Sequence, residues 1–224
     1  MNGRQYKSSI RTGRCKIFGK PEKVVICLCG GIATGKTTVL NEWRKMGARI
    51  IRADEVGHQV LEEDDVKEVL VKKFGTGILT DGKIDRKKLG RLVFGDREAL
   101  SFLNKLTHPR INRKIKEMIE KIDGPVVIEA AIVFEMGLYK LCDYIVATYC
   151  PREEQMLRLL EKGFTREEAE ARLSSQMPPE YYAGKSHVII FTTESPEKTL
   201  KDARQIYRML TRKGGRVGFP KKQS

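Results

Sequence analysis

Residues 30–37 hold the side chains with the clearest chemistry in this sequence. They read Gly-Gly-Ile-Ala-Thr-Gly-Lys-Thr and match the pattern G-x-x-x-x-G-K-[ST] in full. Glycines let such a loop turn consecutive N–H groups towards one anion, and the positive end of the following helix adds to the attraction. We expect Lys36 to reach the β- and γ-phosphates of a nucleotide, and the Thr37 hydroxyl to hold Mg²⁺. The motif predicts a nucleoside triphosphate site made of Gly31, Ile32, Ala33, Thr34, Gly35, Lys36, Thr37 and Thr38.

The residues on either side of this loop predict the elements that a phosphate loop needs. An apolar, β-rich run at 24–29 precedes it, and Val39, Leu40 and Trp43 follow at helical spacing, with Gly47 as a C-cap. A chance glycine-rich turn is the alternative interpretation. The predicted order of strand, loop and helix favours a phosphate loop over such a chance turn.

Four further apolar runs predict the rest of a parallel sheet. They lie at 49–52, 126–129, 144–148 and 188–192, and helical patterns separate them. Strands that alternate with helices indicate a parallel sheet covered on both faces. We therefore predict a three-layer α/β/α fold of the P-loop NTPase type with a five-stranded parallel sheet.

Several local signals predict where helices begin. Apolar residues at 111, 115, 118 and 122 indicate an amphipathic helix that starts at Pro109. A capping box of Thr165 and Glu168 predicts the start of another helix, and Ser195-Pro196 that of the last one.

Two stretches are longer than simple crossovers require. We expect a helical, substrate-binding insertion at about 55–122, with a turn at Thr80-Asp81-Gly82-Lys83, and a charged helical lid at about 151–183. Together with the core they predict a single P-loop domain over 22–213. The flanking segments 1–21 and 214–224 are predicted to be basic tails, and the first to be disordered.

Composition excludes several classes of protein. The 224 residues are 40% hydrophobic, enough for a sizeable core. No apolar run approaches the ~18 residues of a membrane span, and no secretory signal begins the chain. Five cysteines form no C-x-x-C pair, which fits a reducing, cytoplasmic location. We expect a monomer that binds no membrane.

The net charge of +14 is concentrated at the ends of the chain. Residues 1–21 carry six basic side chains and residues 211–224 carry five, with no acid in either segment. Taking those 11 charges from 14 leaves +3 for the body between them. Basic tails can touch RNA or membrane loosely, but they define no sequence-reading module, so no specific nucleic-acid function is predicted.

The remaining motifs separate the classes of P-loop protein. Asn104-Lys105-Leu106-Thr107 lacks the aspartate of the guanine-reading N-K-x-D segment, and the run 126–129 ends in one acid where mechanical ATPases usually carry two. A small-molecule kinase remains. Such an enzyme should carry a carboxylate at a strand's carboxyl end and arginines on a lid.

Asp54 and Glu129 are the candidate carboxylates. Each follows or ends a predicted strand, and ligands of parallel α/β sheets bind outside the carboxyl ends of the strands. Either could accept the proton of an attacking hydroxyl or hold Mg²⁺ through water. Alternatively, Asp54 could simply cap the helix that follows it.

Over residues 24–210 the sequence resembles the dephospho-coenzyme A kinase family. The resemblance implies that the γ-phosphate of ATP is transferred to the ribose 3′-hydroxyl of dephospho-CoA, the last step of CoA synthesis. It also implies a core, a CoA-binding helical region and a lid. The matching segments are Gly30-Gly31-Ile32-Ala33-Thr34-Gly35-Lys36-Thr37-Thr38, Ala53-Asp54, His58-Gln59-Val60, Phe74-Gly75, Asp81-Gly82, Asp85-Arg86, Leu89-Gly90, Val93-Phe94, His108-Pro109, Phe134-Glu135, Gly137-Leu138 and Ser175-Gln176-Met177.

The resemblance also implies roles for single residues. Asp54 would be the base, beside Lys36 and Thr37 of the loop, and Arg158 and Arg172 would be lid arginines that face the phosphates. Two alternatives remain open: His108 as a histidine at a helix start, and the two arginines as solvated helix charges. The residues that would shape the acceptor site are Asp85, Arg86, His108 and Glu135.

Some positions depart from the family pattern. Arg52-Ala53-Asp54 stands where Asp-Ala-Asp is usual, and Glu129-Ala130-Ala131 where Asp-x-Pro is usual. Lys162 replaces a second lid arginine, and Phe191-Thr192-Thr193 an asparagine-containing turn. Two other hypotheses therefore stay open, a kinase of the same build with another acceptor and a non-catalytic RNA-binding protein.

Overall fold

The computed structural model of the chain describes residues 23–212. At its centre lies a five-stranded parallel sheet in the order β2-β5-β1-β6-β7. These strands are β1 (Val25–Cys29), β2 (Arg49–Arg52), β5 (Val126–Glu129), β6 (Tyr144–Tyr149) and β7 (Val188–Phe191). Each agrees with a predicted run to within one residue at either end, because continuous apolar runs suit strands that are buried on both faces.

Helices cover both faces of the sheet. They are α1 (Lys36–Lys45), α2 (Ala53–Leu61), α3 (Asp64–Phe74), α4 (Arg86–Val93), α5 (Arg97–Lys121), α6 (Arg152–Glu161), α7 (Arg166–Ser174), α8 (Pro179–Lys185) and α9 (Pro196–Thr211). The β1 residues Ile26 and Leu28 share a core with Trp43 of α1 and Tyr207 of α9. The alternate residues of β1 share a second core with α2, α3 and α5. The predicted three-layer α/β/α fold is confirmed.

The predicted start of the long helix is wrong. Helix α5 begins at Arg97, where the Asp96 carboxylate accepts hydrogen bonds from the N–H groups of Glu98 and Ala99, and Pro109 lies inside it. Proline lacks the N–H for one helical hydrogen bond, but burial of Ala99 before it and of Ile111 and Ile115 after it keeps the helix continuous.

The other helix-start signals are confirmed. Thr165 and Glu168 form the capping box of α7, with reciprocal bonds of 3.2 and 3.0 Å. Ser195 caps α9, its Oγ accepting the N–H of Lys198 at 3.2 Å. Both caps depend on residues close in sequence, which is why a pattern search finds them.

The two insertions contain the elements that flank the site. Residues 55–122 hold most of α2, helices α3 to α5 and a hairpin of β3 (Leu79–Thr80) and β4 (Lys83–Ile84). The turn of that hairpin uses positive φ angles at Asp81 and Gly82. Residues 151–183 hold α6, α7 and part of α8. The predicted tails lie outside the described residues, and between 23 and 212 no helix has the length and apolarity to cross a membrane.

Candidate active site

The phosphate loop connects the central strand β1 to helix α1. Gly30 has φ 138°, and a Cβ there would lie 2.6 Å from Oγ1 of the buried Thr148, so only glycine fits. Gly35 has φ 88° and is the N-cap of α1. Glycine thus stands at the point of closest approach and at the start of the helix, whereas Ala33 adopts left-handed backbone, with φ 59°, without being glycine.

Every backbone carbonyl from Gly30 to Thr34 accepts a hydrogen bond from a side chain. The donors are Lys36 Nζ to Gly30 and Gly31, Thr34 Oγ1 to Gly31, Gln155 Nε2 to Ile32, Arg158 Nη1 to Ala33, and Thr192 Oγ1 to Thr34. Carbonyl oxygens would repel an anion, and here they are engaged elsewhere. The N–H groups of Lys36 and Thr37 precede the first hydrogen bonds of α1, which run from Thr38 and Val39 to the Gly35 carbonyl, so these two are available to a phosphate.

A cavity of about 530 Å³ lies beside the loop. Residues 33–38 form one side of it, and Arg158, Lys162 and Thr192 lie on the other. Lys162, which replaces the usual lid arginine, thus still places a positive charge at the cavity. Two acidic side chains, Glu161 and Glu194, also line the cavity, but they are outnumbered by three basic ones, with Lys36 included. Together with the N-terminal end of α1, this excess of positive charge favours an anionic ligand.

Lys36 is half-buried and points back at its own loop. Its Nζ lies 2.9 Å from the carbonyl oxygens of both Gly30 and Gly31. Burial lowers the pKa of Lys36, and the nearby charges of Glu129 and Asp54 oppose that effect. Both candidate carboxylates are therefore close enough to act on the loop lysine electrostatically.

Asp54 is exposed in the first turn of α2. The N-cap of that helix is Arg52, so the alternative that Asp54 is the capping residue is wrong. The side chain of Asp54 lies at the carboxyl end of β2, on the side of the sheet where the phosphate loop leaves β1. This placement leaves its carboxylate free for chemistry.

Glu129 ends β5, between Leu28 of β1 and Arg52 of β2 in the sheet register. Its Oε2 lies 3.2 Å from Nε of Arg52, whose Nη1 lies 3.0 Å from Oε1 of Glu55. Arg52 and Glu129, which both depart from the family pattern, thus form an ion pair with each other.

Thr37 and Glu129 suit a magnesium ion that is bound mainly by phosphates. No group of three or more His, Cys, Asp or Glu side chains within residues 23–212 could hold a metal. Magnesium in nucleotide sites is usually bound by one or two protein oxygens, with phosphates and waters completing the shell. The exposed hydroxyl of Thr37 at the start of α1 and the half-buried carboxylate of Glu129 fit that requirement.

The two lid arginines occupy different surroundings. Arg158 on α6 lines the cavity, with Nη1 3.2 Å from Ala33 O and 3.0 Å from Thr192 Oγ1, and Nη2 contacts the Thr192 carbonyl. It is not a solvated helix charge, so that alternative is wrong for Arg158. Arg172 on α7 is exposed, with its guanidinium 4.4 Å from the centre of the Phe164 ring, and it does not line this cavity.

Asp85 and Arg86 stand together at the start of α4. The Asp85 carboxylate accepts the N–H groups of Lys87 and Lys88 at 2.9 and 3.1 Å and the Thr80 hydroxyl at 3.0 Å. The hydrogen bond from Lys88, followed by that from Thr80, lowers the pKa of Asp85. Asp85 is therefore a helix cap, and Arg86, which contacts the His58 ring, extends from the helix end that it stabilises.

His108 and Glu135 are the other two residues predicted to shape the acceptor site. His108 lies in the middle of α5, so the alternative of a histidine at a helix start is wrong. It lines a cavity of about 420 Å³ with Arg97 and Lys105. Burial lowers the pKa of His108, and the charge of Glu135 opposes that shift. Glu135 also accepts the Tyr181 hydroxyl at 3.2 Å.

Sequence reasoning missed the polar side chains that hold the loop from outside. Gln155 on α6 and Gln176 after α7 bond to Ile32, Thr148 on β6 bonds to Thr34, and Thr192 after β7 bonds to the Thr34 carbonyl. Only the spacing of residues along α6 could have predicted one of these contacts, and it is a weak indication. Gln155 precedes Leu159 by four positions, which places it on the buried face of α6 despite its polarity.

A phosphate loop follows the central strand, helices α3 to α5 lie between β2 and β5, and helices α6 to α8 lie between β6 and β7. This arrangement is that of a P-loop kinase. A family model described as Dephospho-CoA kinase matches residues 24–196. The dephospho-CoA kinase of Carboxydothermus hydrogenoformans is 39% identical over 182 residues, 78% of this chain and 88% of the relative. That of Aquifex aeolicus is 36% identical over 191 residues, 84% and 97% of the two chains.

A solved structure agrees with these relatives. The dephospho-CoA kinase from Campylobacter jejuni superposes with a TM-score of 0.65 at 28% identity, covering 84% of this chain and 98% of that one. The protein belongs to the dephospho-CoA kinase family. The resemblance predicted from the sequence motifs is confirmed.

Proposed function

We propose that the protein transfers the γ-phosphate of ATP to the ribose 3′-hydroxyl of dephospho-CoA, giving coenzyme A. The match to the family over residues 24–196 carries this proposal, because it spans the loop, both insertions and the last strand in one run. The arrangement of charges supports it. A cationic phosphate site lies at the same edge of the sheet as an exposed carboxylate that no structural bond occupies.

In this proposal the phosphates of ATP lie on the N–H groups of residues 33–38. Lys36 moves its ammonium from the carbonyls of Gly30 and Gly31 to the β- and γ-phosphates. Arg158 and Lys162 add positive charge from the lid side of the cavity. Positioning and charge stabilisation of this kind supply most of the catalysis in phosphoryl transfer.

Asp54 is the proposed general base. Its exposed carboxylate accepts the proton of the 3′-hydroxyl as the oxygen attacks the γ-phosphorus and the bond to the β-phosphate oxygen breaks. The proton stays on Asp54 until product leaves, and ADP carries the leaving oxygen. A base in contact with the hydroxyl typically contributes ~10²–10⁴-fold.

Thr37 and Glu129 are the proposed protein contacts of Mg²⁺. When bound, the ion would neutralise the negative charge that develops on the phosphates during the transfer. Glu129 must share its carboxylate with Arg52, which lies 3.2 Å away. Arg172 lies outside the cavity lining, so we propose that a movement of α7 brings it to the phosphates.

The acceptor is proposed to lie between the core and the insertion. Asp85 acts indirectly by fixing the start of α4 and so placing Arg86. His108 and Glu135 contribute from α5 and from the segment after β5. We also propose that the enzyme acts as a cytoplasmic monomer. Light scattering during gel filtration would test its oligomeric state.

An assay of ADP release with a panel of acceptors tests the proposed function. Dephospho-CoA should support turnover, and phosphorus NMR of the product should show a new 3′-phosphomonoester. Turnover only with another hydroxyl compound would select a related kinase with a different acceptor. Salt-sensitive RNA binding without turnover would select the non-catalytic hypothesis.

A further inference from the structure

Two glutamine side chains hold both backbone polar atoms of Ile32 in the phosphate loop. The N–H of Ile32 donates to Oε1 of Gln176 at 2.7 Å. The carbonyl of Ile32 accepts from Nε2 of Gln155 at 2.6 Å. We name Gln155 and Gln176 the glutamine clamp. One member lies on lid helix α6 and the other follows lid helix α7, so the clamp joins the lid to the loop.

Gln155 is enclosed by the protein, whereas Gln176 is half-buried. Gln155 is only 2% exposed, although α6 is otherwise rich in charged residues. A Cβ on Gly31 would lie 2.9 Å from Nε2 of Gln155, so the close approach of the amide depends on glycine at that position. A buried amide in a short, well-directed hydrogen bond orients its partner, because breaking the bond would leave polar groups unpaired.

We propose that Gln155 and Gln176 are positioning residues that set the direction of the loop N–H groups towards the nucleotide. Neither side chain needs to touch the nucleotide. They fix the Ile32 backbone from outside, as Arg158 fixes the Ala33 carbonyl, and thereby couple the lid helices to nucleotide affinity. The inference rests on the proposed nucleotide site and adds to it the residues that shape it.

The two positions require opposite hydrogen-bonding groups. Position 155 must donate, because it faces a carbonyl, and position 176 must accept, because it faces an N–H. Ionised glutamate accepts but cannot donate. Gln176→Glu therefore keeps its bond, whereas Gln155→Glu places two acceptors against each other. Both substitutions add one negative charge beside Ile32, so repulsion of the nucleotide is closely matched between them.

Calorimetric titration of the full chain with Mg·ADP at pH 8 tests the clamp. We expect Gln155→Glu to raise the Kd for ADP at least tenfold above that of Gln176→Glu, and the KM for ATP to rise in parallel. The KM for dephospho-CoA should stay within about twofold of the wild type, a split that general loss of structure would not give. Gln205→Glu, on the exposed side of α9, should bind ADP like the wild type.

Two uncharged variants cover the case in which Gln155→Glu does not fold. Gln155→Met and Gln176→Met each remove one bond of the clamp and should each raise the Kd for ADP severalfold. Equal ADP affinities for the two glutamate variants, or wild-type affinity in both methionine variants, would overturn the inference. A wild-type protein that binds no ADP would overturn the proposed nucleotide site itself, which is a separate result.

Discussion

Arg52 and Glu129 end two neighbouring parallel strands, and their side chains meet with 3.2 Å between Nε and Oε2. The family pattern usually has an acid at each of these positions. Here one acid is replaced by a base, and the remaining one pairs with it. If Glu129 holds Mg²⁺ as proposed, the ion has to compete with a guanidinium for its carboxylate.

Arg52→Gln should lower the Mg²⁺ concentration needed for half-maximal activity, because it frees Glu129. Partly exposed ion pairs contribute about 0.2–1 kcal/mol, so a shift of no more than about fivefold is expected. Magnesium titration of activity, together with Mg²⁺-dependent melting temperature in the presence of ADP, measures it. Arg49→Gln on the same strand is the control and should leave the requirement unchanged. An increased requirement in Arg52→Gln would show that Arg52 supports the ion.

Asp54→Asn should reduce kcat by about 10²–10⁴-fold while ADP binding stays near that of the wild type. The substitution keeps the size of the side chain and removes its ability to take a proton. Because Asp54 is exposed and does not cap α2, the melting temperature should not change. Glu62→Gln, exposed at the C-cap of the same helix, is the matched control. Near-wild-type kcat at saturating Mg²⁺ would make Glu129 the leading candidate for the base.

Lys36→Met should abolish phosphoryl transfer and leave the melting temperature of the free protein close to that of the wild type. Two hydrogen bonds to loop carbonyls are lost, but so is a charge whose burial lowers its pKa. These effects oppose each other. Scanning calorimetry and the ADP-release assay measure the two results. Substantial turnover by the variant would contradict the proposed phosphate site.

The pH dependence of stability should separate Lys36 from its methionine variant. A lysine whose folded pKa lies below its unfolded value is penalised while charged, and the penalty fades as the pH rises through the folded pKa towards the unfolded one. The free wild-type protein should therefore gain stability relative to Lys36→Met on the alkaline side. Urea unfolding at several pH values checks the sign, and a relative loss would contradict it.

Arg172→Ala should lower kcat more than it raises the KM for dephospho-CoA, if α7 moves as proposed. Stabilisation of the transition state by an arginine in cis can amount to roughly 10³-fold. Phe164→Leu removes the ring against which Arg172 stacks, and should change kcat much less. Unchanged kcat in Arg172→Ala would leave this arginine as a surface charge of the lid.

Asp85→Ala should raise the KM for dephospho-CoA and destabilise the insertion, because α4 loses its cap and Arg86 its placement. Asp96→Ala is a close control, since Asp96 caps α5 through the same pair of backbone bonds. The two variants should lose similar stability in urea unfolding, but only Asp85→Ala should affect KM. The same effect on KM in both would show that a general loosening of the insertion is responsible.

The sequence predicted those parts of the molecule that depend on neighbouring residues. All five strands of the sheet, the phosphate loop and the caps at Thr165 and Ser195 are continuous patterns of a few residues. The start of α5 was predicted wrongly at Pro109 because proline is common in the first turn of helices. In the structure the helix continues past Pro109, since Ile111 and Ile115 are buried in the core.

The contacts that complete the site could not be predicted from patterns of neighbouring residues. Arg158 reaches Ala33 across 125 positions and Gln176 reaches Ile32 across 144. No local pattern encodes such a pairing, and Arg158 would look the same in sequence if it pointed into solvent. The packing of α6 and α7 decides which residues face the loop, and spacing along a single helix does not predict that packing.

The carbonyl of Thr34 receives its hydrogen bond from Thr192, 158 positions further along the chain. During synthesis on the ribosome the complete phosphate motif therefore emerges long before the last residues that hold it in shape. A nascent chain released before β7 would carry the whole motif and lack the bonds to Thr192. Nucleotide binding should thus appear late in synthesis, as one of the final consequences of folding.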